Sequence, residues 1–136
     1  MPIMEWNSTL DVGVEAMNNE HKHILDLMNR IHDASASGMT GAPVTALVDE
    51  LAQVTVDHFS DEEAYMQSVG YEGLTTHKLI HADLLKKYGA YAQEIHAANG
   101  KLPDQFLTFL KLWLTAHIKG IDMKYSPEAI AMKKAG

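Results

Sequence analysis

Two pairs of residues set four apart, His58 with Glu62 and His77 with His81, are the first sign of chemistry in this sequence. On an α-helix such neighbours are offset by only ~40° with a rise of ~6 Å, so each pair can aim two electron-pair donors at one place. Imidazole nitrogen and carboxylate oxygen together suit a transition-metal ion. His21 and His117 lie on stripes that otherwise carry apolar residues, where polar side chains are normally excluded. Asp122 stands five residues after His117 and would miss the same face of a continuous helix by ~140°. Gly120, between them, predicts that the helix ends or loosens there and lets Asp122 turn back.

Taken singly, a histidine is more often structural or solvated than a metal ligand. Eight in one short chain, five of them at these spacings, reverse that balance. His23 points away from the His21 face, His32 lies on that face about three turns further along, and His96 matches no spacing, so none of the three receives a role. The chain has no cysteine, which excludes disulfides, thiolate zinc sites, iron–sulfur clusters and a cysteine nucleophile. Any metal must bind through nitrogen and oxygen. The eight methionines read as fillers of irregular core space.

The elements that must position these residues follow from the 3.6-residue period. Residues 1–17 read as an extended N-terminal arm, with Pro2, Gly13 and the run Trp6-Asn7-Ser8-Thr9 breaking any helical pattern. A first helix is expected after an Asn18 or Asn19 cap, with His21, Ile24, Leu25, Met28 and Ile31 inward, up to the turn cluster 35–41. A second should run from Pro43 to about Val69, carrying Leu47, Leu51, Val54, His58, Glu62 and Tyr65 on its inner side. The third, capped by Thr75 or Thr76 and closed by Asn99-Gly100, presents His77, His81, Leu84, Tyr88, Tyr91 and Ile95. A fourth opens at Pro103-Asp104 and carries Phe106, Phe109, Leu110, Trp113, Leu114 and His117 to Gly120, and a short helix is expected after Pro127. Short turns between amphipathic helices predict an all-α, up-down-up-down four-helix bundle, with 1–136 forming a single domain of arm (1–17), bundle and tail (18–136).

The ordered set His21, His58-x-x-x-Glu62, His77-x-x-x-His81 and His117-x-x-x-x-Asp122, one group to each helix, resembles the hemerythrin family, its stand-alone bacterial members in particular. Trp6 and the Asp11-Val12-Gly13-Val14 stretch ahead of Asn19-Glu20-His21 resemble the family's lead-in, so the resemblance covers nearly the whole chain. It implies two iron ions joined by an oxo or hydroxo bridge, one held by His77, His81 and His117 and the other by His21 and His58, with Glu62 and Asp122 bridging. An open position on the His21/His58 iron would bind molecular oxygen reversibly, for storage, transport or delivery. By the same resemblance Ile24, Phe59, Trp113, Leu114 and Ile118 line the oxygen pocket and Tyr125 lies near the site, although each is equally readable as plain core. Asn19 stands two positions before the first ligand, where the family often has an acid or its amide.

Five neutral imidazoles and two carboxylates leave a di-iron centre less negatively surrounded than the four-carboxylate sites of related bundles, which favours carrying oxygen over cleaving it. The rival readings are a di-iron oxygen or peroxide reductase, or an oxygen- or iron-sensing module. Against zinc, seven ligands exceed the four of a structural site. The chain is therefore expected to be an oxygen-binding protein and not an enzyme, weak oxidase or peroxidase activity aside, with room for an oxygen-consuming acceptor enzyme as partner. A net charge of -7, with eleven scattered Lys and Arg, offers no basic stripe to nucleic acid. The opening MPIMEWNSTL lacks a signal-peptide pattern and no apolar run nears the ~18 residues of a membrane helix, so a cytoplasmic protein is expected.

Overall fold

Gly70 and Gly100 close the two longest helices of the structure, a computed structural model that describes residues 5–120, 122–127 and 129–131. Both adopt the left-handed backbone that glycine reaches without a Cβ clash, at φ 66° and 86°. The Tyr71 amide then reaches back to the Met66 carbonyl and the Gly100 amide to the Ile95 carbonyl, each at 2.9 Å, which satisfies carbonyls the helix end would orphan. A Cβ on Gly100 would also lie 2.5 Å from the Gly41 amide nitrogen. The Gly41 amide donates to the Asn99 carbonyl at 2.6 Å, so two connections are joined at one end of the molecule.

The four helices are α1 (Glu15–Ala36), α2 (Ala42–Ser68), α3 (Leu74–Ala97) and α4 (Asp104–Gly120). Connections this short force each helix to run antiparallel to the one before it, giving the expected up-down-up-down four-helix bundle. Helix α2 packs between α1 and α3, and α4 lies on α1. Tyr91 and Tyr88 of α3 close the ring against Phe109 and Phe106 of α4, with ring centroids 5.0 and 5.8 Å apart. Among the described residues there is no strand.

Antiparallel order sorts the core into two layers. Ile31 near the end of α1, Val44 and Val48 near the start of α2, Ile95 near the end of α3 and Phe106 near the start of α4 are all fully buried and fill one half. Here the Tyr88 hydroxyl donates to the Val48 carbonyl at 2.6 Å, satisfying a buried phenol. The start of α1, the end of α2, the start of α3 and the end of α4 meet at the other half, which holds the polar residues.

Three expectations need correction. Helix α1 starts at Glu15, ahead of the Asn18 or Asn19 cap, because Asn18 is engaged elsewhere: its Oδ1 accepts from the Val12 amide at 3.0 Å and its Nδ2 donates to Asp11 Oδ1 at 2.7 Å. Helix α3 follows Gly73, and Thr75 and Thr76 lie inside it. The arm is not simply extended, since Ser8–Leu10 form a 3-10 turn packed on α4, with Leu10 and Val12 fully buried; its first four residues lie outside the described residues. After Pro127, helical backbone is described at 127 and 129–131.

Candidate metal centre

Each helix delivers its polar residues to the same layer for a local reason. The i, i+4 pairs of α2 and α3 project His58 with Glu62 and His77 with His81 from one face each. Helix α4 stops at Gly120, and Asp122 opens a 3-10 turn, Asp122–Tyr125, so the helix break expected at Gly120 is present and returns the carboxylate to the layer. His21, His58, Glu62, His77, His81, His117 and Asp122 are all buried, none more than 5% exposed.

Glu62 divides them. Its Oε1 lies 3.1, 2.9 and 3.8 Å from Nε2 of His77, His81 and His117, while its Oε2 lies 3.1 and 3.6 Å from Nε2 of His58 and His21. Asp122 makes the same division, with Oδ1 3.0 and 2.9 Å from His77 and His117 and Oδ2 3.1 Å from His21. The result is two groups of donor atoms, each within 4.8 Å of one another, that share both carboxylates: Glu62, His77, His81, His117 and Asp122 on one side and His21, His58, Glu62 and Asp122 on the other.

Close approach here is not hydrogen bonding throughout. Nε2 of His21 and of His58 and both oxygens of Asp122 are buried yet aligned with no hydrogen-bond partner, although a charged or polar atom sits about 3 Å away. Nε2 of His81 and His117 face each other at 3.3 Å. Unpaired buried polar atoms are costly, and lone pairs aimed past one another into shared space are what a cation satisfies. The donor set, imidazole nitrogen with two carboxylates, fits iron.

The electrostatics agree. Burial alone would push the His58 and His117 imidazoles down, but the carboxylates beside them outweigh it and lift them to about 10 and about 9. His77 is raised for the same reason by Asp122 and Glu62. Burial would raise Glu62 and Asp122, yet the surrounding histidines hold both below the usual carboxylate range. The cluster thus stores protons that a metal ion would displace.

Outside the seven, three further residues grip them: Tyr125, which the resemblance places near the site, and Glu20 and Glu63, to which the sequence assigned no role. Glu20 Oε1 accepts from His58 Nδ1 at 2.6 Å and Glu63 Oε2 accepts from His81 Nδ1 at 2.8 Å, fixing the tautomer that turns Nε2 inward. The Tyr125 hydroxyl donates to Glu62 Oε2 at 2.8 Å. A carboxylate adjacent in sequence to a member of the cluster, Glu20 before His21 and Glu63 after Glu62, was the available signal, but which histidine each reaches depends on helix packing.

Ile24, Phe59, Trp113, Leu114 and Ile118 are all buried. Phe59 stacks on His81 at 3.7 Å with ring planes 4° apart and lies 5.7 Å from His117, and Trp113 lies 6.4 Å from His117. The Phe59 ring also lies 5.9 Å from that of His58, so it borders both histidine groups, while Trp113 borders the three-histidine side. His23 is exposed, His32 is half-buried beside Asp33, and His96 pairs with Asp49 on the surface at 2.7 Å, all apart from the cluster.

Comparison with known proteins points the same way. The family described as Hemerythrin HHE cation binding domain matches residues 12–129. A bacteriohemerythrin of Stenotrophomonas maltophilia is 30% identical over 96% of this chain and 84% of its own length. A myohemerythrin of Theromyzon tessulatum is 31% identical over 89% of both. The crystal structure of a hemerythrin leucine-to-alanine variant superposes with a TM-score of 0.83 at 29% identity, covering 93% of this chain and 97% of that one. No described helix is long and apolar enough to cross a membrane.

Proposed function

The chain belongs to the hemerythrin family, and from that premise we propose that it binds molecular oxygen reversibly at a non-haem di-iron centre, for storage, transport or delivery. The observation that carries this reading is the division of Glu62, whose two oxygens face two different histidine groups. Such a carboxylate suits a bridge between two cations. His77, His81 and His117 would hold one iron, His21 and His58 the other, with Glu62 and Asp122 between them and an oxo or hydroxo group completing the bridge.

The bound irons would supply the reversible one-electron changes that oxygen binding needs; the remaining work falls to the chain. Glu20 and Glu63 keep His58 and His81 oriented, Nε2 inward. The side with fewer histidines, His21 and His58, has fewer donors and leaves room for the diatomic ligand. The buried Ile24, Phe59, Trp113, Leu114 and Ile118 would give that ligand an apolar surround, with Phe59 reaching the two-histidine side beside His58, and would keep water and stray protons from the charged centre. The named relatives are hemerythrins, and the chain reads likewise as a binding protein and not an enzyme. Its expected setting is the cytoplasm, with an oxygen-consuming enzyme as the natural acceptor.

Metal analysis and an optical spectrum of the reduced protein before and after air test this directly. Two irons per chain and a visible charge-transfer band that disappears under argon are expected. One zinc per chain, or steady oxygen consumption with a reductant present in place of reversible binding, would overturn it.

A further inference from the structure

The two shared carboxylates are not treated alike by their surroundings. Asp122 meets no aligned hydrogen-bond donor, whereas Glu62 Oε2 receives the Tyr125 hydroxyl at 2.8 Å. Tyr125 is fully buried and ends the same 3-10 turn that Asp122 begins, with its ring 5.9 Å from that of His77 and 5.6 Å from that of Tyr65. Of the two Glu62 oxygens it chooses Oε2, the one on the His21/His58 side.

We propose that Tyr125 is a positioning residue that sets the redox balance of the metal centre, its hydroxyl holding Glu62 Oε2 and weakening that oxygen as a donor to the cation on the two-histidine side. The inference rests on the di-iron reading above and adds to it a residue that touches neither metal nor oxygen. A hydrogen bond donated to a carboxylate oxygen withdraws electron density from it, and partners one step removed tune a metal's potential in this way. A weaker anionic donor favours the lower-charged ion, so the phenol favours Fe(II) over Fe(III) where oxygen is to bind. The same bond ties the turn carrying Asp122 to α2, so one hydroxyl fixes the relative placement of both carboxylates.

The test compares wild type, Tyr125→Phe, 3-fluorotyrosine at position 125 and Tyr88→Phe. Tyr88 is the control because its buried hydroxyl also meets a single acceptor, the Val48 carbonyl, away from the metal layer. Iron content and the oxygen-dependent spectrum are measured first, then the Fe(III)/Fe(II) potential by spectroelectrochemistry and the denaturant midpoint of each protein. Tyr125→Phe should lower the potential by about 59 mV, the shift for a tenfold change in relative Fe(III) and Fe(II) affinity in a one-electron couple. Fluorotyrosine, a more acidic and stronger donor, should raise it, and Tyr88→Phe should lose stability with the potential unmoved. Failure of wild type to take up two irons or to oxygenate would overturn the di-iron reading and this inference with it. Normal loading with an unmoved potential in Tyr125→Phe, or a fluorotyrosine shift in the same direction as phenylalanine, would overturn this inference alone. If Tyr125→Phe does not fold, the sign of the fluorotyrosine shift decides.

Discussion

Glu20 of α1 reaches across to His58 of α2, its Oε1 2.6 Å from Nδ1, although the residue next to it in the chain, His21, is itself one of the seven. Adjacent residues thus face two ways, His21 into the buried histidine–carboxylate cluster and Glu20 toward a histidine of the neighbouring helix. Glu63 repeats the device from α2 to α3, reaching His81 Nδ1 at 2.8 Å.

Glu20→Gln and Glu63→Gln keep the size of the side chain and remove its charge. Each should weaken metal retention by about 10- to 100-fold, the usual effect of losing a carboxylate behind a metal-bound histidine. Iron content during competition with a chelator measures this. Retention equal to wild type in both would show that these contacts do not orient the ligands.

Removal of a shared carboxylate should act differently. Glu62→Ala and Asp122→Ala leave two cations facing each other with half their bridging charge gone, so paired binding should fail and at most one ion per chain should remain. His23→Ala and His96→Ala change exposed residues apart from the cluster and should leave two irons and an unchanged spectrum. Loss of iron from either histidine variant would contradict the helical phasing.

Without metal, the cluster should impose its own pH dependence. His58 and His117 titrate in the fold at about 10 and about 9 against 6.5 for a free histidine, so their stabilisation is complete below 6.5 and is lost as pH rises toward 9 to 10. Glu62 and Asp122 are depressed from 4.5 and 3.8, so their share is complete above those values and is lost as pH falls through their folded values. Denaturant midpoints of the metal-free protein should therefore be highest between about pH 4.5 and 6.5. Metal uptake at neutral pH should release protons, which calorimetry in buffers of different ionisation enthalpy would count. A midpoint that climbs from pH 6.5 to 9 would refute the assignment of charged histidines.

Leu114, buried at 2% exposure one turn before His117, should wall the oxygen pocket. Leu114→Ala is expected to cost about 2 to 5 kcal/mol, to open the pocket to water, and to speed decay of the oxygenated spectrum. Leu51, fully buried on α2 about two turns before His58, is the matched control, since Leu51→Ala should cost similar stability and leave the decay rate alone. Equal decay in wild type and Leu114→Ala would make Leu114 ordinary core.

The pairs of the cluster were legible because they are local: a spacing of four on a helix fixes which side chains share a face whatever else the chain does, so His58 with Glu62 and His77 with His81 could be matched from the sequence alone. Helix ends at Gly70 and Gly100 were legible for the same reason, the left-handed backbone there being one that glycine itself favours, whereas Gly120 marks the end of α4 without adopting it. The start of α1 was not, because Asn18 caps a helix in sequence terms but in the fold binds the arm through Val12 and Asp11. Nor could spacing say that Glu20 serves His58 and not His21, that Tyr125 reaches Glu62 and not Asp122, or that Phe59 lies on His81. Each of these is set by the rotation of one helix against another, which depends on how Leu10, Ile31, Val48, Ile95 and Phe106 fill the core together. Covalent order determined what each helix offers to the centre, and tertiary packing decided which atoms meet there, because a side chain's reach along its own helix is fixed by helical geometry while its partner across the bundle is fixed only by close packing.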